Sequence, residues 1–341
     1  MTSRNILILT TLIGGGTFLY FQRSFLVPLI LAVVFAYIFS PFVRLLNQKL
    51  HIPRLVGVIS VYTLLISLVL LVGTLLSHRV NIESLEINTV ANNALHQARV
   101  EASLLPEWIQ PAVINGINTI RRSRIFTFFT GATMSSPSID QAISQLTMFF
   151  VFVFGSFYFL KDGELLVARF VSLFNESKRS DLEDVFKQMN AVLGGYLRGQ
   201  LFLIFFVALM LYVALSIVGI KFALTLAIFS GFAEIVPVIG PILAGTIAVL
   251  VVYITNGAAH VSLPVLDVSL IVIAIYFVIR QFEDYFVMPF VMGRITKLPA
   301  FVVFLAVVVG GHIAGVLGMV LAVPFVAMLR VALPFVKKHY L

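Results

Sequence analysis

Apolar residues in this chain fall in long blocks. They cover Ile6–Phe21, Phe25–Phe42, Val56–Leu76, Ile143–Leu160, Leu201–Ile220, Phe222–Val236, Ile242–Thr255 and Val268–Val291, with a longer block at Ala300–Val336. A helix rises about 1.5 Å per residue, so roughly 20 apolar residues cross a bilayer core. Most blocks approach that length and read as spanning helices. Ile6–Phe21 is short, but Arg4 and Arg23 flank it and can reach the headgroups by snorkelling. It resembles a signal peptide, yet no Ala-x-Ala-like site follows and Phe25–Phe42 is apolar again. An uncleaved first span is expected.

The last block is too long for one span. Its 37 residues carry a single charge, Arg330, and are interrupted at Gly310-Gly311-His312. This predicts two half-helices around an irregular centre, which survives at membrane depth only where protein or water satisfies its polar groups. Glu234-Ile-Val-Pro-Val-Ile-Gly-Pro241 predicts a second break. Pro237 has no N–H and clashes with the preceding turn, and Gly240-Pro241 repeats the disruption. Unwound carbonyls and a new helix N-terminus near Pro241 are parts from which transporters build ion and substrate sites. The alternative is an extramembrane turn between short spans, with Glu234 among the headgroups.

Two polar regions separate the blocks. Residues 78–140 mix Arg and acids with Leu104, Leu105, Trp108 and Ile109, which suggests amphipathic helices at a surface or subunit contact. Ser138-Ile-Asp-Gln141 has capping-box spacing and predicts a helix start leading into the Ile143 span. In residues 161–199, Ser180-Asp-Leu-Glu183 is a second capping box. Leu182, Val185, Phe186, Met189, Val192, Leu193 and Tyr196 then recur at helical spacing. The expectation is an amphipathic helix along the membrane that turns inward at Leu201. The organisation expected is therefore residues 1–77 as N-terminal spans, 78–140 as an extramembrane segment, and 141–341 as a transport region containing the cytoplasmic helix 161–199.

Charge placement predicts orientation. Arg44, Lys49 and Arg54, then Arg294 and Lys297, then Lys337 and Lys338 lie beside spans, whereas loop 256–267 has no Lys or Arg. With basic loops inside, both termini are cytoplasmic and 78–140 faces outward. The net charge of +8 thus reflects topology and gives no reason to expect a nucleic-acid partner. Composition agrees with a membrane protein: 60% of residues are hydrophobic and 11% charged, against about 25% charged in soluble domains. There is no cysteine, which excludes disulfides, thiolate nucleophiles and Cys-ligated metals.

The densest polar cluster in an apolar setting is Arg280-Gln281-Phe-Glu283-Asp284. Arg280 shares a helical face with Glu283 and Asp284 at spacings of three and four. Each such charge costs about 3 kcal/mol at a helix centre, which favours a functional or packed role. The bland alternative is a helix end at the headgroups, since Arg294 and Lys297 are near. His312, within Gly311-His-Ile-Ala-Gly315, could titrate or ligate, but a lone His is more often hydrogen-bonded structure. Gly311 and Gly315 also fit small-residue helix packing. No Walker loop, HExxH or Gly-x-Ser-x-Gly is present, so an enzyme or ATP-driven pump has no support. No cofactor or metal is expected.

Three blocks in order carry a family resemblance. They are Glu234-Ile-Val-Pro237-Val-Ile-Gly240-Pro241-Ile, Gln281-Phe-Glu283-Asp284-Tyr-Phe-Val-Met-Pro289-Phe-Val-Met-Gly293, and Gly310-Gly311-His-Ile-Ala-Gly315-Val-Leu-Gly318-Met-Val-Leu-Ala322-Val-Pro324. Together they resemble the autoinducer-2 exporter family of bacterial membrane transporters, most strongly over 190–335. The resemblance implies an all-α polytopic bundle of about eight spans plus broken or re-entrant segments. It also implies a homo-oligomer, a pentamer in the family, and elevator-like alternating access in the bacterial inner membrane. Pro289, Gly293, Gly310, Gly311, His312, Gly315 and Gly318 are then hinge candidates. Glu234, Pro237, Gly240, Pro241, Arg280, Gln281, Glu283 and Asp284 are pathway candidates. Phe290, where many relatives would carry a basic or polar residue, departs from the pattern.

The leading expectation is a secondary transporter exporting a small polar solute, with an autoinducer-2-like signalling molecule as first candidate. Family members also resemble sodium- or lithium-proton antiporters, and the motif blocks are common to both activities. A membrane scaffold in which the polar cluster only packs is the reading from outside transport.

Overall fold

The computed structural model describes residues 23–122, 139–174, 176–255, 257–258, 263–291 and 298–340. The Ile6–Phe21 block and Ser138 of the first capping box lie outside them. The described chain is helical: α1 Arg23–Leu50, α2 Arg54–Ala102, α3 Gln110–Arg122, α4 Ile139–Ser172, α5 Glu176–Val218, α6 Ala223–Ala233, α7 Ile239–Ile254, α8 Val265–Phe282, a π-turn Glu283–Val287, α9 Met288–Val291 and α10 Ala300–Tyr340. Among the described residues six helices are long and apolar enough to cross a membrane. The shorter apolar helices α6 and α7 accompany them. The molecule is an all-α polytopic membrane bundle.

Two helices differ from their sequence expectation. The helix expected to start at Ser180 starts at Glu176, and it does not turn at Leu201 but runs unbroken to Val218. Gly195 and Gly199 sit inside it without interrupting it, since a helical glycine weakens a helix by only about 1 kcal/mol. The Val56 block belongs to α2, a helix of 49 residues that extends well past the apolar stretch.

The chain divides into two units. The first holds residues 1–67, 136–197 and 327–341. Here α1 packs along α4, and Ala36, Val43, Val58, Val61 and Leu160 form the core under Phe35, Phe39 and Phe157. A Cβ on Gly155 would meet the Ala32 Cβ at 3.1 Å, so the glycine permits close approach. The Tyr62 hydroxyl and Ser156 Oγ are 2.6 Å apart. At one end Arg54 donates to Glu164 at 2.9 Å and to the Leu160 carbonyl at 3.2 Å. Lys338 pairs with Asp181 at 2.5 Å, fixing the end of α10 beside the start of α5.

The second unit holds residues 68–135 and 198–326. Its core combines Leu215, Leu226, Ala248, Val252, Val268 and Val272, extended by Val207, Leu211, Ala227 and Ile279. Helix α7 packs on both α6 and α8. With 11 and 16 residues, α6 and α7 rise about 16 and 24 Å, short of the roughly 30 Å core. They are the two limbs of a broken segment, each burying one side while Phe232, Ile242, Leu250 and Tyr253 stay exposed.

Candidate functional site

The break between α6 and α7 has a local cause. Pro237 cannot continue the helix, and Ile239 N–H donates back to the Pro237 carbonyl at 2.8 Å. That contact closes a γ-turn centred on Val238 at φ 69°, ψ −55°. This is the rarer, strained γ-turn, and a β-branched residue there is a genuine backbone outlier. Gly240 follows because the chain re-enters hard against α6. A Cβ on Gly240 would overlap the Ala233 carbonyl. Glu234 ends α6, its N–H bonded to Ser230 O and its carbonyl accepting from Gln200 Nε2 at 2.7 Å.

Helix α8 supplies the opposing charges. Arg280 Nη1 lies 3.3 Å from Glu234 Oε2 and 3.2 Å from Glu283 Oε2. Its Nη2 lies 3.0 Å from Asp284. The Glu234 and Glu283 carboxyls are within hydrogen-bonding reach of each other. Glu283 is 1% exposed and Glu234 6%. With all three acids ionised, one guanidinium faces three carboxylates, and the cluster carries excess negative charge. Glu283 and Asp284 open the π-turn, whose wider winding is recorded by Met288 N–H bonding to Glu283 O. Pro289, which could not have donated to an α-helical partner, sits immediately beyond.

Behind the charges is a recess of about 280 Å³ including its mouth. Val207, Leu211, Ser230, Glu234, Pro241, Ala244, Tyr276, Ile279, Arg280 and Glu283 line it, and the room inside is little more than one water needs. Ser230 Oγ is 2.7 Å from the Leu226 carbonyl and 2.8 Å from the Tyr276 hydroxyl. Glu283 Oε1 is buried and receives no protein hydrogen bond.

The second predicted break is also present. Helical geometry fails at Ala314 and at Gly315, which has φ 59° and ψ −142°. In a straight helix residues 310 and 318 would be about 12 Å apart along the axis. Instead, a Cβ on either Gly310 or Gly318 would overlap the other's carbonyl. A Cβ on Gly311 would meet Met319 Cε at 2.6 Å. The chain therefore folds into a helical hairpin with its tip at Ala314–Gly315.

Of the pathway candidates, Glu234, Pro241, Arg280 and Glu283 come together at the recess, with Asp284 paired at its rim. Pro237 and Gly240 shape the turn beside it. Gln281 is half-buried on α8 but does not line the recess. Gly310, Gly311, Gly315 and Gly318 build the hairpin, and His312 is exposed near its tip. Pro289 is exposed and Gly293 lies outside the described residues. Gln200, Ser230 and Tyr276 escaped sequence reasoning. Ser230 stands four residues before Glu234, and Tyr276 four before Arg280, so helical spacing from the charges could have found both.

The chain is similar in sequence to several transport proteins. The chain is 26% identical to a provisionally named transport protein, YueF of Bacillus subtilis (strain 168), over 92% of this chain and 84% of that one. It is 25% identical to another, YrrI of the same organism, over 91% and 86%. A provisionally named permease, PerM of Escherichia coli (strain K12), is 22% identical over 95% and 91%. The family model described as AI-2E family transporter matches residues 9–338, nearly the whole length, and the chain belongs to that family.

Proposed function

We propose that the protein is a secondary transporter working by alternating access, with Glu234, Arg280 and Glu283 as its coupling site. The observation that carries this reading is the meeting of these three charges, drawn from two helices, in an apolar interior. Uncompensated charge is expensive there, and such groups mark ion and substrate pathways. The γ-turn at Val238 and the hairpin at Gly315 supply the broken backbone that transporters use around such sites. A small polar solute resembling autoinducer-2 is the first candidate cargo, moved outward across the bacterial inner membrane. Resemblance to the family also favours a homo-oligomer, a pentamer among its members. Basic loops favour cytoplasmic termini, with residues 78–140 outside.

One observation favours a second reading, sodium- or lithium-proton exchange. The recess has room for little more than a water-sized species, which suits an ion better than an organic solute. A proton and a cation would compete for carboxylates that a single guanidinium does not neutralise. Flux in proteoliposomes, with candidate solutes and imposed proton or sodium gradients, separates the readings. Gradient-driven solute export supports the first, and cation uptake against proton release the second. Parental behaviour after Glu234→Gln and Glu283→Gln would leave the acids structural.

A further inference from the structure

A second charge cluster, in the first unit, is unbalanced in the opposite sense. Glu164 on α4 faces two guanidiniums, with Arg54 Nη1 at 2.9 Å and Arg44 Nε at 3.7 Å. Both arginines are also held by neutral acceptors. Arg54 Nε donates to the Leu160 carbonyl at 3.2 Å, and Arg44 Nη2 donates to Ser40 Oγ at 3.2 Å. The turn from α1 to α2 that separates them is closed. His51 takes a left-handed φ of 54°, and Asn47 Nδ2 donates to the Ile52 carbonyl at 2.9 Å. A guanidinium has more N–H donors than these contacts engage, so each keeps hydrogens to offer. Lys49 on the same turn is exposed, and Lys161 lies 3.7 Å from Asp162. Arg44, Lys49, Arg54 and Lys161 are therefore matched only by Asp162 and Glu164 along these segments. Phe42, Leu45, Leu50 and Leu55, on the same two helices, are exposed apolar side chains.

We propose that this corner is a binding site for one anionic phospholipid, its phosphodiester held by Arg44 and Arg54 and its acyl chains laid along Phe42, Leu45 and Leu55. The inference is independent of what the protein transports. Fixed cations next to exposed apolar side chains match a ligand that is charged at one end and apolar at the other. Basic pockets at helix ends take anionic headgroups in this way. An arginine that merely snorkels follows any headgroup that passes. Here a shared carboxylate and a backbone carbonyl fix the forks in advance, and a planar fork suits phosphate oxygens. A zwitterionic headgroup would bring another cation to a place that already has a surplus, so a net negative one is selected. The orientation proposed above puts the site in the cytoplasmic leaflet, where anionic lipid supplies a negative surface.

The test is thermal unfolding of the purified full-length protein in detergent, titrated with phosphatidylglycerol, phosphatidylcholine or inorganic phosphate at matched ionic strength. Phosphatidylglycerol should raise the melting temperature saturably, and the other two should not. Arg44→Gln leaves Arg54 to hold Glu164 and should fold. It should raise the half-saturating phosphatidylglycerol concentration about tenfold, the scale of one lost hydrogen bond to a charged group. Arg44→Lys should fall between, since it keeps the charge and loses the fork. Lys187→Gln removes the same charge from an exposed side chain on α5 that pairs with Asp184, and should leave half-saturation unchanged. An equal loss in Lys187→Gln would reduce the effect to general surface charge and overturn the site. Parental half-saturation in Arg44→Gln would overturn it too, as would stabilisation by phosphatidylcholine equal to that by phosphatidylglycerol. An inorganic phosphate shift that matches the lipid's and is weakened by Arg44→Gln would make this a free-anion site and refute the lipid.

Discussion

Glu234 and Glu283, from separate helices, hold the same nitrogen, Nη1 of Arg280, at 3.3 and 3.2 Å. One guanidinium therefore joins the end of α6 to the end of α8. Removing it strands two buried carboxylates, while removing one carboxylate leaves the guanidinium a partner in the other.

Arg280→Ala should destabilise the protein by about 3–5 kcal/mol, the scale for breaking a buried ion pair from one side. Arg280→Lys should fall between, because one ammonium lacks the planar fork that spans three carboxylates. Melting temperature and yield of monodisperse protein in detergent check this. A Glu283→Gln variant should keep both near the parental values and lose flux.

Gly240→Ala and Gly318→Ala should each be poorly tolerated, by about 3 kcal/mol or more, since an added methyl overlaps a carbonyl that packing holds in place. Gly73→Ala, where nothing lies within 4 Å of the new Cβ, should be harmless. Equal thermal stability across the three would show that these close approaches are not obligatory.

Val238→Gly should stabilise the protein by about 1 kcal/mol, because glycine adopts positive φ without the penalty a β-branched residue bears. If strain at this turn helps drive the transport cycle, flux should fall as the melting temperature rises. A lowered melting temperature would show that Val238 contributes more by packing than it loses in strain.

Asp181 and Lys338 are paired, so both must lie on one side of the membrane. Single cysteines at these positions in the natural cysteine-free chain should label together, and from the cytoplasmic face. External labelling of either would refute the orientation read from the basic loops.

Much of the fold was legible because it depends on local chemistry. Block lengths gave the long spans and Pro237 the first break, while the second, expected at Gly310-Gly311-His312, falls at Ala314–Gly315. The pairing of Arg280 with Asp284 and Glu283 followed from spacing on one helix. Glu234 as a third partner did not, for it lies 46 positions away and only packing of α6 against the α7–α8 pair brings it in. The start of α5 was misjudged because a capping box is equally at home inside a helix, where nothing in the spacing reveals that an upstream turn already exists. Ser230 and Tyr276 were passed over as ordinary polar residues. Their mutual hydrogen bond joins α6 to α8, which spacing along either helix does not reveal.

The flush contact of Gly310 with Gly318 sets what the α10 hairpin can do. Helices that meet through side-chain ridges can slip by a turn and find a second set of grooves. At this crossing backbone meets backbone, and the Met319 side chain lies over Gly311. Sliding by one residue would press Leu317 or Met319 into a space with no room for a Cβ. The hairpin is thus a strut of fixed length that cannot telescope without parting its limbs.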